Sequence, residues 1–503
     1  KYPDLRLMLS GALAKWFDEA DIEDTAMVGG KGASLGEMYQ KLSGIGVKVP
    51  NGFTLTTEAF REFVNAEIPE STWDNVGNPE GIEDVRRRAI ACSTLSSALE
   101  VCLRDADTSD HLGLNGRASL ARSLVRETPV PESVKRAIGA EYSKLCDMYY
   151  PGVDVAVRSS ATTEDSAEAS FAGQYESYLN VSGESEIVEK WRRCVASMFT
   201  ERSVGYHLEN DMHPLDSSIA VVVMKMARSD KACSGVMFTI DPDSGHDGVI
   251  HIGSSYGLGE LVVQGVVSPD TYTIWKEGLR MGKFPIVYRT LGGKEQMMVY
   301  NEESTNEVHT IQVSIDERKK WSLSKDECVS LAEMGLKIED YFGMPMDIEW
   351  AKDGISNELF IVQARPETIH SKSSESKMML YKIDEKLTSK LKKDGRVIAE
   401  GQAVGTRVGT GMVRLYRTYS EVVQGRRELQ GLIDTGLSPE EISSELSVFE
   451  KGDVLVTEMT TPDWEPLMKQ ASLIITRKGG RTSHAAIIAR EFGIPAIVGC
   501  SDA

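Results

Sequence analysis

A chain of 503 residues, 41% hydrophobic and 26% charged, is too long for one core and divides into roughly three domains of ordinary size. Lys and Arg total 56 against 76 Asp and Glu, a formal charge of −20, which argues against a nucleic-acid or anionic-membrane partner because either favours a basic face. No apolar run approaches the roughly 18 residues needed to cross a bilayer. Seven cysteines without a Cys-x-x-Cys pair read as reduced thiols, so the expected setting is the cytoplasm. The chain opens on Lys1 rather than Met, and a removed transit peptide would place it in an organelle matrix or plastid instead.

In chain order, residues 28–38 read as a glycine-rich turn running into a helix, and 49–55 as a short strand behind a turn. Residues 67–135 alternate polar loops with amphipathic helix, and 105–116, rich in Asp, Ser and Gly, reads as an exposed loop. From 153 to 365 the chain is strand-rich. Strand candidates are 153–158 and 217–226, and 344–350 with 358–364 make a hairpin pair around Asp353 and Gly354. The polar stretch 370–377, dominated by Ser and Lys, reads as a linker. A second unit follows: a glycine-spaced strand region at 401–413, an acidic helix–loop at 420–450, strands at 453–456 and 473–476, and a helix after Gly480.

Several positions carry residue types suited to chemistry. Lys31 lies in Gly-Gly-Lys-Gly-Ala-Ser, which lacks P-loop spacing and on its own also fits a glycine turn with a surface lysine. Arg158 sits at a strand end before small residues, where a guanidinium can hold phosphate oxygens bidentately or pair with a nearby carboxylate. Asp347 and Glu349, two apart on a strand, share one face while Ile348 and Trp350 share the other. Paired carboxylates suit a magnesium ion that also takes phosphate oxygens and water; the same alternation fits a solvated strand face. Gln363 and Arg365 alternate likewise on the next strand. Before His484 a strand ends in two glycines, Thr482 or Ser483 can cap a helix, and the alanines that follow are good helix formers. The histidine therefore falls in a first turn, where unpaired N–H groups and the dipole favour an anion. A neutral imidazole there is a competent nucleophile, and a capping or core role is the plainer reading.

The string 479–499, Gly-Gly-Arg-Thr-Ser-His-Ala-Ala-Ile-Ile-Ala-Arg-Glu-Phe-Gly-Ile-Pro-Ala-Ile-Val-Gly, resembles the phosphohistidine domain of the phosphoenolpyruvate-utilising enzymes. The string 454–466 is similar to the same domain within the phosphoenolpyruvate synthase (pyruvate, water dikinase) family, and 28–38, 155–165, 234–239, 256–265 and 346–350 resemble its nucleotide-binding region in the same order. The resemblance weakens over 67–135 and 415–450. It implies an α/β (α+β) fold: an ATP-grasp type nucleotide-binding region over 15–369, in subdomains of about 15–215 and 216–369, then a linker at 370–390 and a smaller swivelling β/α phosphohistidine domain at 391–503. It implies ATP as substrate and Mg2+ as cofactor, Lys31 and Arg158 on the ATP phosphates, Asp347, Glu349 and Gln363 at the magnesium–nucleotide end, Arg365 in support, and Glu260 and Gln264 lining the site. His484 is the implied phosphoryl acceptor, and Thr482 a position for a regulatory kinase/phosphorylase. Pyruvate and phosphoenolpyruvate would bind a C-terminal barrel, which the resemblance places beyond Ala503, and a homodimer is compatible with it. A related dikinase or small-molecule phosphotransferase, and a non-catalytic binding or assembly subunit that kept the fold, are the alternative readings.

Overall fold

The computed structural model describes residues 12–107, 111–162, 176–210, 212–301, 304–367, 385–405, 407–422, 424–425, 449–481 and 483–500. The expected linker at 370–377, most of the acidic 420–450 segment, and Thr482 lie outside the described residues. The chain is a mixed α/β protein in two compact units. One comprises Lys1–Ala227, Tyr300–Val308 and Phe360–Pro366; the other comprises Arg228–Val299, His309–Leu359 and Glu367–Ala503. No helix among the described residues is long and apolar enough to cross a membrane, and all seven cysteines are free thiols.

The first unit holds an antiparallel sheet of β1 (Ala14–Trp16), β2 (Gly52–Leu55), β3 (Val155–Ala161), β4 (Ser177–Val181) and β5 (Ile219–Lys225), in the order β1-β2-β5-β3-β4. Central β5 is buried from Ile219 to Met224, as its unbroken apolar run requires. One sheet face, with Phe53, Leu55, Val155, Val157, Val221 and Val223, joins a large helical core. The other face carries Arg158 and Ser160 and receives α1 (Thr25–Leu42). There the helical run starts before the glycines rather than after them and kinks at Gly29, whose φ of 71° suits glycine. A Cβ at Gly29 would lie 1.9 Å from the Ser160 carbonyl oxygen, so only glycine lets this helix reach the strand.

The loop expected at 105–116 is corrected in part: α2 (His111–Glu127) begins inside it. Gly113, Asn115 and Gly116 are poor helix formers, yet Leu114, Ala118, Ala121, Leu124 and Val125 recur at helical spacing and are buried. Their burial against Ile187 and Trp191 of α3 (Glu184–Ala196) overrides local propensity.

In the second unit, β6 (Cys233–Phe238), β7 (Val249–Tyr256), β8 (Asp270–Trp275), β9 (Ile286–Thr290) and the later β12 form an antiparallel sheet in the order β12-β6-β7-β8-β9, where β12 is Met346–Lys352. Between β9 and β12 come β10 (Gln296–Asn301) and β11 (Ser304–Gln312). A short α4 (Glu260–Val263) buries Leu261 and Val262 against Val236 and Phe238 of β6. On the opposite face α5 (Lys325–Phe342), opened by a Ser324/Glu327 capping box, brings Gly335 against Met237. After β13 (Leu359–Pro366), a further sheet has the order β14-β18-β17-β16-β15. Its strands are β14 (Gln402–Val404), β15 (Val413–Tyr416), β16 (Val454–Thr457), β17 (Leu473–Thr476) and β18 (Ala496–Val498), parallel except for β14. The crossover from β17 to β18 is α6 (His484–Glu491), whose Ala486 and Ala489 pack on Leu455 and Ile474.

Candidate functional site

The first unit gathers Lys31, Arg158 and Gln363. Lys31 is 8% exposed, not a surface lysine, and its ammonium donates to the Ser159 carbonyl at 3.0 Å. The next residue on β3, Ser160, accepts the Gly32 N–H at 3.0 Å and donates to the Val28 carbonyl at 2.8 Å, which ties α1 to the strand. The Arg158 guanidinium forks: Nη1 donates to the Val362 carbonyl and Nη2 to Gln363 Oε1, each at 2.8 Å. Both of these partners are neutral acceptors. Ser34 donates to the Ala364 carbonyl at 2.7 Å, and Ile361 to the Lys48 carbonyl at 2.8 Å. Phe360–Pro366 is thereby fixed at both ends of Arg158's reach. Gln363 is 5% exposed, and Arg365, half-buried, follows two residues on.

In the second unit the alternation expected of β12 holds. Asp347 and Glu349 are half-buried, while Ile348 and Trp350 are buried. Asp347 pairs across with Phe238 and Glu349 with Val236, so the carboxylates share the sheet face on which α4 packs. Glu260 starts α4, and Gln264, just past its end, is exposed. Among the described residues no group of three or more His, Cys, Asp or Glu side chains converges as a metal site. Two carboxylates alone still fit magnesium, which takes one or two protein oxygens and completes its shell with phosphate and water.

His484 is the first residue of α6, beyond the carboxyl end of parallel strand β17. Ser483 is the N-cap and accepts the Ala486 N–H, as the sequence allowed. The adjacent parallel strand β16 sends Thr460 to the same end, where ligands gather in parallel α/β sheets. Its hydroxyl lies 3.0 Å from His484 Nδ1 and is nearly buried. Sequence reasoning matched the string containing Thr460 but gave it no role; a threonine just past an apolar strand was the available signal. If His484 is the phosphoryl acceptor that the resemblance implies, replacing Thr460 with valine is expected to slow its labelling by roughly 10-fold, the value of one hydrogen bond that fixes a ring, and to move the pH profile of that step. Single-turnover labelling at several pH values checks it.

Ser483 rests on the turn after α4. A Cβ on Gly265, whose φ is 71°, would lie 2.1 Å from Ser483 Cβ. Farther along, burial pushes His251 on β7 down to about 4, although Asp241 and Asp243 pull the other way. Its folded value lies below its unfolded one, so the unfolded chain binds the extra proton. The stability this neutral ring allows is present above about pH 6.5 and falls as pH drops toward 4. Between pH 7 and pH 5 the loss is expected to be about 2 kcal/mol, read as a fall in the thermal midpoint that His251→Gln reduces.

Residues 25–385 match the family model for the pyruvate phosphate dikinase, AMP/ATP-binding domain, and residues 449–503 match the PEP-utilising enzyme, mobile domain. The chain is 41% identical to the phosphoenolpyruvate synthase of Synechocystis sp., over 98% of this chain and 54% of that protein. It is 40% identical to that of Aquifex aeolicus, over 98% and 52%, and 40% identical to that of Escherichia coli, over 98% and 55%. The chain thus spans about half the length of the curated relatives it matches. The segment 25–385 covers more than half of the chain, which therefore belongs to the pyruvate phosphate dikinase, AMP/ATP-binding domain family.

Proposed function

We propose that this chain binds ATP and passes a phosphoryl group from it to His484, as the ATP-consuming half of a phosphoenolpyruvate synthase (pyruvate, water dikinase). The observation that carries the reading is the placement of His484 at a helix start beyond a parallel strand, with Nδ1 engaged by buried Thr460. When Nδ1–H donates to the threonine oxygen, the lone pair sits on Nε2, the nucleophilic nitrogen. The Nε2–P bond forms at the β-phosphorus, the bond to the α,β-bridging oxygen breaks, and AMP leaves with that oxygen. Water then removes the outer phosphate and leaves one phosphoryl group on the ring.

Lys31 and Arg158 are assigned to the ATP phosphates, Gln363 to the magnesium–nucleotide end with Arg365 in support, and Glu260 and Gln264 to the site lining. Asp347 and Glu349 would hold Mg2+, which when bound supplies neutralising charge to the phosphate oxygens. Residues 15–369 are read as an ATP-grasp type region in two parts, about 15–215 and 216–369, 370–390 as linker, and 391–503 as the swivelling domain. Pyruvate is assigned to the part of the relatives' length that this chain does not span. Thr482 remains the proposed regulatory position, since phosphate there would set negative charge beside the accepting ring.

Incubation with Mg2+ and β-labelled ATP tests the reading. AMP release with acid-labile label that His484→Ala removes is the expected result. Protein that binds ATP yet takes no label would overturn it.

A further inference from the structure

Asp243 stands between two arginines that bracket the histidine. Its Oδ1 accepts from Arg490 Nε at 3.0 Å and Nη2 at 2.6 Å, and its Oδ2 lies 3.0 Å from Arg481 Nε. Arg481 comes three residues before His484, and Arg490 lies on the last turn of α6. One carboxylate therefore grips the histidine segment on both sides. The Arg490 arm is sheltered, its side chain 4% exposed and that of Asp243 15%, whereas the Arg481 side chain is 44% exposed.

Asp243 is presented by a stiff turn between β6 and β7. Asp241 accepts the Asp243 N–H at 3.2 Å and the Ser244 hydroxyl at 2.7 Å, and the Gly245 N–H closes the turn on the Asp241 carbonyl at 2.9 Å. Burial pushes the Asp241 carboxyl up, but these donors outweigh it and hold it below the usual range, so it stays ionised. Beneath the turn His251 is buried and neutral. Two carboxylates then balance two guanidiniums, and the cluster carries no net charge. The same segment makes two further contacts, Ser483 seated on Gly265 in the turn after α4 and Gly480 beside Pro269 just before β8. Glycine contacts set how close the segment lies; they do not stop it from rotating or lifting. An ion pair on each side of the histidine does.

We propose that Asp243 is a positioning residue for phosphoryl transfer: by holding Arg481 and Arg490 it fixes the His484 segment in the pose that accepts the phosphoryl group, without touching ATP. The inference rests on the phosphohistidine reading above, so two independent readouts are used. The first is single-turnover labelling from β-labelled ATP, alongside equilibrium ATP binding. The second is hydrogen–deuterium exchange of the amides of α6 and of residues 479–481 and 483, in the same full chain without nucleotide.

Asp243→Asn is expected to slow labelling roughly 10- to 100-fold, with ATP affinity within about twofold of native, and to raise exchange in α6. Asp243→Glu restores much of the rate. Native labelling and native exchange in Asp243→Asn would overturn the proposal. So would loss of ATP binding together with labelling, because the residue would then serve folding rather than pose. Should the native chain take no label while Asp243→Asn still loosens α6, the phosphohistidine reading fails and Asp243 is reduced to a structural clamp.

Discussion

Replacing Arg158 with methionine is expected to lower AMP release from ATP by roughly 100-fold or more, and Arg158→Lys to recover little of the loss. The guanidinium is planar and spends one nitrogen on the Val362 carbonyl and another on Gln363 Oε1, both at 2.8 Å. That fork fixes the plane in which its remaining donors point. A lysine keeps the charge but satisfies one acceptor at a time, so Gln363 at 5% exposure loses its orienting partner. Two terms are removed together: charge near the assigned phosphates and the register of Phe360–Pro366 against β3. Gln363→Glu separates them, since it keeps a partner for Arg158 while adding negative charge. Near-native turnover in Arg158→Met would remove Arg158 from the phosphate site.

The second large effect is expected at Gly265. Gly265→Ala should lower labelling of His484 by about 100-fold while the protein still binds ATP. The added methyl would meet Ser483 Cβ at 2.1 Å, and the φ of 71° strains any other residue by roughly 1–2 kcal/mol. Ser483 caps α6, so it cannot retreat without loosening the helix start that carries His484. Undiminished labelling in Gly265→Ala would mean that the packing of Ser483 on Gly265 is not the pose in which transfer occurs.

Much of this was legible where local pattern and tertiary demand agree. The Asp347, Glu349 alternation on β12, the apolar run of β5, and the glycine–cap–alanine string leading into α6 each follow from a period or a cap. The start of α2 was not legible, because Gly113, Asn115 and Gly116 signal a loop and only the packing of Leu114 and Ala118 reverses that. The burial of Lys31 was hidden for the same reason: its partner, the Ser159 carbonyl, lies on a distant strand. Thr460 and Asp243 were missed because their importance is relational. Each is an ordinary turn residue until the fold brings it to His484 Nδ1 or to the flanking arginines.

The order of strands in the first sheet also governs when the nucleotide-binding half can exist at all. Central β5 pairs with β2 and β3, so a chain growing from the ribosome leaves Gly52–Leu55 and Val155–Ala161 without their shared neighbour until residue 225 has emerged. Arg158 must then wait further, for Val362 and Gln363. Such late, distant pairings make slow folding and long exposure of apolar edges the expected course. A fragment cut before Phe360 is accordingly expected to come out with its first sheet formed and Arg158 unanchored, which makes the smallest autonomous ATP-binding piece of this protein longer than its first compact stretch.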